Sequence, residues 1–160
     1  MIKEDFSTIV RKVRIFSGII LFAYVIMHLL NHSVNLFSID AADAIRINYF
    51  RPIWQNPVGL FLLYGSLFAH LILGFASILN RKSFKMKGKD WIQIVFPVLA
   101  LLFLAQHIAI SFIITKIFGG EETYSLFFAA MNTEKPSDLI MGGIFFSLMT
   151  IFIWGHGVIG

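Results

Sequence analysis

Cysteine is absent from this chain of 160 residues. Its absence excludes disulfides, thiolate metal sites, cysteine-ligated iron–sulfur clusters and haem attached through a C-x-x-C-H motif. The sequence also lacks a nucleophile paired with a base, a glycine-rich phosphate loop and paired catalytic carboxylates. It therefore predicts neither a covalently attached cofactor nor a complete enzyme.

Charge is scarce as well. Charged residues make up 14% of the chain, whereas soluble domains carry roughly 25%. Hydrophobic residues make up 58%, and four nearly uncharged runs are each long enough to cross a bilayer core of about 30 Å. We expect an all-α membrane protein with four transmembrane helices in an up-down bundle, short interfacial helices and a single domain over residues 1–160. The runs are Ile15–Phe37, Val58–Leu79, Ile92–Thr115 and Leu139–Gly160.

The positive charges are distributed unevenly between the two predicted faces. Nine lysines and arginines precede the first run or lie between the second and third, against four on the other face. By the positive-inside rule, this predicts that both termini lie in the cytoplasm. We expect a multi-pass protein of a bacterial-type inner (plasma) membrane. Membrane insertion and anionic lipid headgroups explain the basic face, so we expect no nucleic-acid partner.

The segments outside the four runs carry weaker helical patterns. Met1–Val13 has apolar residues at helical spacing, which predicts a short helix on the cytoplasmic surface. In the first outer link, Asp40 is the expected N-cap of a short helix that ends before Pro52. In the second outer link, the apolar stretch Tyr124–Met131 predicts another surface helix.

All five histidines lie within these runs or at their edges, and each run carries at least one. An ionisable side chain in hydrocarbon is energetically costly and is therefore a candidate functional residue. A histidine that only hydrogen-bonds across a helix bundle is the alternative interpretation. The presence of at least one histidine on every predicted helix favours a cofactor shared between helices. The five are His28, His32, His70, His107 and His156.

The depth of each histidine follows from a rise of 1.5 Å per residue. From the cytoplasmic edge, His28 lies at about 20 Å, His107 at about 22 Å, His70 at about 12 Å and His156 at about 5 Å. The four separate into an outer pair, His28 with His107, and an inner pair, His70 with His156. Two facing imidazoles can hold a six-coordinate haem iron. We therefore predict two non-covalent, bis-histidine haem b groups, one above the other.

Two further residues have more than one interpretation. His32 shares a helical face with His28 and lies about 6 Å nearer the outer surface, where it fits a haem propionate, a quinone carbonyl or the polar interface. Arg14, at the inner boundary, either pairs with a propionate of the inner haem or anchors the helix. Copper or zinc bound by the four deeper histidines is another alternative to haem.

The motifs around the histidines resemble a known family. Ser17–Leu36 (S-G-I-I-L-F-A-Y-V-I-M-H-L-L-N-H-S-V-N-L) is similar to the first helix of the dihaem cytochrome b anchors of succinate:quinone oxidoreductases and fumarate reductases. The similarity continues through Asn56–His70, L-A-Q-H-I-A and W-G-H-G-V-I-G. The resemblance implies the same four ligands, His28, His70, His107 and His156, with quinone as the redox partner.

The variant of this anchor that is fused to class III adenylate cyclases resembles the chain most, through H-L-L-N-H and W-x-H-G-x-I-G. Members of the family have five or six helices, so the resemblance implies a chain truncated at its C-terminus, either as a fragment or through a split gene. Three functions stay open: electron exchange with the quinone pool beside flavin and iron–sulfur subunits, redox sensing for an adenylate cyclase domain, and structural anchoring without haem.

Overall fold

A computed structural model describes residues 2–81, 83, 85, 87–118, 123–130 and 135–159. Every regular element among these residues is helical, which confirms the all-α prediction. In chain order they are α1 (Ile2–Val34), α2 (Ile39–Ile45), a π-helical segment (Arg46–Phe50), α3 (Arg51–Trp54), α4 (Pro57–Leu79), α5 (Gly88–Phe118), α6 (Tyr124–Ala130) and α7 (Pro136–Ile159).

Among the described residues, four helices are long and apolar enough to cross a membrane. Large apolar side chains are widely exposed on them, as for Phe61 (76%) and Phe16 (64%). Such exposure would be unfavourable in water over so much surface, but it is expected where the surrounding solvent is lipid. The protein is therefore a multi-pass membrane protein. The membrane-spanning segments are Thr8–Val34, Pro57–Leu79, Gly88–Ile117 and Pro136–Ile159.

The chain forms two compact units. Unit 1 is Met1–Phe84 and contains α1 to α4. Its two long helices, α1 and α4, run antiparallel, because Arg14 contacts Ser77 and Ser17 contacts His70. We call the end of unit 1 where α1 stops and α4 begins its link end.

Unit 2 is Lys85–Gly160 and contains α5 to α7. The long helices α5 and α7 are also antiparallel. The side-chain amide of Gln93 donates a hydrogen bond to the Ile159 carbonyl at 3.0 Å, while His107, further along α5, packs against Phe146. Phenylalanines fill much of the seam between them, including Phe103, whose ring centroid lies 5.2 Å from that of Phe145.

Several helix boundaries differ from the sequence predictions. A separate surface helix over Met1–Val13 is wrong, because α1 is continuous from Ile2 to Val34. The N-cap of α2 is Ser38 rather than Asp40: its hydroxyl accepts a hydrogen bond from the Ala41 N–H, which leaves Asp40 in the first turn. Pro52 lies in the first turn of α3, where its missing N–H costs nothing.

In unit 2, the surface helix predicted to begin at Tyr124 is confirmed as α6, and Met131 lies outside the described residues. Helix α7 begins at Pro136 rather than Leu139, since proline suits the first helical turn.

The start of α4 is tightly joined to α3. The Asn56 side-chain oxygen caps α4 by accepting hydrogen bonds from the N–H groups of Val58 and Gly59 at 2.9 and 3.0 Å. At Gly59, a Cβ atom would collide with the Ile53 carbonyl oxygen and lie 2.8 Å from the Cα of Trp54. Only glycine allows α3 and α4 to approach this closely.

We expect Gly59→Ala to destabilise the protein by about 1–3 kcal/mol, because the added methyl meets backbone rather than a movable side chain. Gly65→Ala, on the same helix with nothing within 4 Å of its Cβ position, is the matched control and should be neutral or slightly stabilising. The measurement is loss of helical circular dichroism during titration of detergent micelles with sodium dodecyl sulfate. Equal midpoints for the two variants would contradict the close approach.

Candidate functional site

His70 contacts a serine on the neighbouring helix of unit 1. Its Nδ1 lies 3.2 Å from the hydroxyl oxygen of Ser17, which is 4% exposed. The Ser17 hydroxyl also donates a hydrogen bond to the Arg14 carbonyl at 3.0 Å, as serines in helices often do. Since a hydroxyl has one hydrogen to donate, Ser17 accepts from His70. The contact therefore selects the tautomer with hydrogen on Nδ1 and a lone pair on Nε2.

Gly18 brings α1 close enough for this contact. A Cβ atom at Gly18 would lie 3.2 Å from Cε1 of His70 and 3.5 Å from its Nδ1. The imidazole therefore rests against the α1 backbone at a position where a larger residue would displace it. Ser17 supplies the hydrogen-bond acceptor and Gly18 supplies the space, so two consecutive residues fix the His70 ring.

An apolar groove of about 390 Å³ runs between α1 and α4 beside this contact. Ser17 is part of its wall, together with Phe16, Ile20, Gly65 and Ala69. The Ser17 side of this hydrogen bond therefore borders an apolar space, where a hydrogen bond is electrostatically stronger than it would be in water.

At the link end of unit 1, His28 and His32 contact each other. Their Nε2 atoms lie 3.1 Å apart, their ring centroids are separated by 4.4 Å, and their planes meet at 85°. Both belong to α1, one helical turn apart, so the backbone itself holds the pair together. The shared face expected from the sequence is thus a direct contact between ring nitrogens.

Aromatic side chains surround His28. Tyr24 stacks on it with ring centroids 5.6 Å apart and planes 11° apart, and Phe50 lies 6.4 Å away by the same measure. Trp54 packs edge-on against Tyr24 at 5.3 Å. Phe50 ends the π-helical segment, a feature often found near functional sites, and Trp54 ends α3. Aromatic residues of α1, the π-helical segment and α3 therefore pack around the His28 ring.

Arg14 lies on the same seam as His70, closer to the N-terminus of α1. Its guanidinium donates a hydrogen bond to the Ser77 hydroxyl at 2.9 Å, and that hydroxyl donates to the Leu73 carbonyl at 2.7 Å. Arg14 thus binds α4 within unit 1, and its proposed contact with a haem propionate stays a prediction.

Unit 2 carries the other two candidate ligands. His107, on α5, packs edge-on against Phe146 of α7, with ring centroids 5.9 Å apart. His156 follows Gly155, where a Cβ atom would lie 2.6 Å from the Phe96 ring. Gly155 therefore allows α5 and α7 to approach closely just beside His156.

The histidines occupy two levels in each unit. In unit 1, Ser17 contacts His70, and His28 lies eleven positions after Ser17 on α1, a rise of about 16 Å. In unit 2, Phe146 contacts His107, and His156 lies ten positions after Phe146 on α7, a rise of about 15 Å. The two separations are similar.

The sequence-based depths placed His28 and His70 closer together, about 8 Å apart. That spacing is wrong because it was counted from the edges of the hydrophobic runs. Helix α1 extends well before Ile15, and α4 packs against it in a register that puts His70 beside Ser17. For His107 and His156 the expected separation, about 17 Å, agrees with the structure.

Sequence reasoning did not single out Ser17, Gly18, Tyr24 or Phe50. The available signal was the pair of small residues, serine and glycine, at positions 17 and 18 inside an apolar run. Such residues often mark helix–helix contacts in membranes. Within the described part of the chain, no group of three or more histidine, aspartate or glutamate side chains is arranged to hold a metal ion.

No protein-family model, curated protein or solved structure matches this chain. The resemblance to the dihaem anchors therefore depends on the motifs alone, and the geometry within each unit carries the functional interpretation.

We expect Ser17→Ala to change the tautomer of His70, because the acceptor for its Nδ1–H is lost. In ¹⁵N-histidine NMR spectra of the protein in lipid nanodiscs, the native His70 signal should report hydrogen on Nδ1, and the variant should report a mixture. Ser33→Ala is the control, since that hydroxyl donates its hydrogen bond to the Leu30 carbonyl of the same helix at 2.7 Å. A His70 signal that Ser17→Ala leaves unmoved would contradict the assigned role.

Proposed function

We propose that this protein is a dihaem cytochrome b module that exchanges electrons with quinone in the membrane. As the motif resemblance implies, His28 with His107 would hold one iron, and His70 with His156 would hold the other. When bound, haem iron supplies one-electron chemistry by changing between its ferric and ferrous states. The chain's own residues bind and orient the group, exclude water and set its electrostatic surroundings.

The observation that carries the proposal is the matched spacing of the two levels. Unit 1 separates its histidines by about 16 Å and unit 2 by about 15 Å. Four histidines that only satisfied local hydrogen bonds would have no reason to repeat one spacing on two helix pairs. Two haems held by His28 with His107 and by His70 with His156 would require that repetition.

The donor chemistry also fits. Ligating histidines usually donate their other ring N–H to a fixed acceptor, and His70 has this arrangement with Ser17. Its Nε2 is then the nitrogen with the chemistry to bind iron. For His28 to bind iron through Nε2, that atom has to leave its contact with the Nε2 of His32.

Two further features belong to the proposal. The excess of lysine and arginine near the start of α1 and between α4 and α5 supports cytoplasmic termini, and the membrane we propose is of the bacterial inner type. The motif resemblance supports quinone as the redox partner. The His70 level would then be nearer the cytoplasm, and the His28 level nearer the opposite surface.

A reduced-minus-oxidised absorption spectrum of the purified full chain, combined with haem quantitation, tests the proposal. We expect a b-type spectrum and two haems per chain. His70→Ala and His107→Ala should each remove one haem, because each removes a ligand from a different level. His32→Ala, on the face of His28 but outside the ligand set, should keep both.

A colourless protein would overturn the proposal, and so would variants at His70 and His107 that keep both haems. The quinone step is tested separately in proteoliposomes, by adding menaquinone to the dithionite-reduced protein after removal of excess dithionite. Reoxidation of the b-type spectrum supports electron exchange, and a spectrum unchanged by quinone would contradict it.

Ser17→Ala should shift the midpoint potential of one haem by some tens of millivolts while the haem content stays at the native value. The reason is that the Nδ1–H···O hydrogen bond raises the electron density of the His70 imidazole, and a single second-shell bond tunes the iron it would ligate. Potentiometric titration of both haems measures the effect. A shift in both potentials, or in neither, would contradict this role for Ser17.

A further inference from the structure

The contact between His28 and His32 has the dimensions of a chelate. Zinc and similar ions bind imidazole nitrogens at about 2.0–2.1 Å, so two nitrogens bound side by side to one ion lie about 3 Å apart. The two Nε2 atoms lie 3.1 Å apart. An ion between them would therefore require little movement of either side chain.

The orientation of the rings supports the same conclusion. If the two nitrogens met head-on, the centroid separation would exceed the nitrogen–nitrogen distance by two ring radii. The observed centroid separation, 4.4 Å, exceeds the 3.1 Å nitrogen contact by less than that. The rings therefore do not meet head-on, so rotation of the two side chains can aim both nitrogens at one ion between them.

The pair is also held in place before any ion arrives. Histidines four residues apart on a helix share a face, and this spacing recurs in zinc sites built on helices. Stacking on Tyr24 and contact with Phe50 restrict the His28 ring. Preorganised ligands lose little conformational freedom on binding, which favours affinity.

The surroundings favour a cation. His32 lies in the last turn of α1, where the helix dipole places partial negative charge. Asn35 follows immediately, and its N–H donates to the His32 carbonyl at 3.1 Å. The Asn35 side-chain oxygen is buried and makes no hydrogen bond within the described part of the chain, so an oxygen donor is available one turn beyond the pair.

We propose that His28 and His32 chelate one divalent transition-metal ion of the copper, nickel and zinc class at the link end of unit 1. Two neutral imidazoles select these ions over Mg²⁺ and Ca²⁺, which prefer oxygen ligands. The described residues supply two nitrogens, so water or the Asn35 oxygen completes the coordination.

This site does not depend on the proposed electron-transfer function, although the two share one atom. An ion held by the pair and a haem iron both require the Nε2 of His28. They therefore exclude each other at this level, while the His70 level is unaffected. Metal binding and haem content can therefore be measured separately, and both report on His28.

The test is Cu²⁺ titration of the purified full chain in lipid nanodiscs, followed by electron paramagnetic resonance, with haem measured in the same samples. In chains that carry no haem at His28, we expect one Cu²⁺ per chain. Its electron paramagnetic resonance signal should show hyperfine splitting from two nitrogens. His28→Ala and His32→Ala should each weaken binding by at least about tenfold, since even an outer-shell loss costs 10–100-fold in metal affinity. His70→Ala, a histidine in the same unit outside the pair, is the matched control and should bind Cu²⁺ as the native chain does.

The outcomes separate the two proposals. Cu²⁺ bound through two nitrogens in a chain without haem supports the chelate and removes the electron-transfer proposal. A chain that carries no haem at His28 and still binds no Cu²⁺ overturns the chelate. Equal affinity in His32→Ala and the native chain also overturns it, provided that circular dichroism shows unchanged helix content. The Cu²⁺ signal of the native chain is a further test. Hyperfine splitting from fewer than two nitrogens would exclude chelation by His28 and His32.

Discussion

An imidazole inside an apolar helix pair needs polar partners for its ring nitrogens, and this requirement organises both levels of unit 1. Ser17 meets it for His70, and His32 meets it for His28. In each case the neighbouring structure is built around the contact. Gly18 lets the α1 backbone approach His70, and Tyr24 stacks on His28. The histidines therefore determine where small and aromatic residues are placed in this unit.

The second constraint is the fixed rise of the helix, which turns sequence separation into distance. Because α1 is unbroken from Ile2 to Val34, the position of His70 beside Ser17 sets the spacing to His28 without any further contact. The same holds in unit 2, where α7 carries both Phe146, the neighbour of His107, and His156. A long continuous helix can thus position two sites at once, which is how a chain of this size can provide two levels.

Much of this architecture could be predicted from the sequence, because hydropathy, turn residues and the membrane position of a histidine are local properties. The contact between Ser17 and His70 could not, since it joins residues 53 positions apart and depends on the register between α1 and α4. The same register explains the wrong spacing of His28 and His70. Similarly, Asp40 and Ser38 are both acceptable caps, and only the path of the chain after Val34 makes Ser38 the one that begins α2.

His28 is the residue at which the interpretations meet, because one nitrogen serves a hydrogen bond, a chelate or a haem iron. Whichever partner this nitrogen of His28 takes, the effect is confined to the His28 level of unit 1. The Ser17–His70 contact lies about 16 Å away along α1, beyond direct contact and beyond the aromatic wall of Tyr24 and Phe50. A change of partner at His28 would therefore alter one level and leave the other intact. This independence follows from the spacing itself: two sites on one rigid helix can differ in occupancy without a change in the fold.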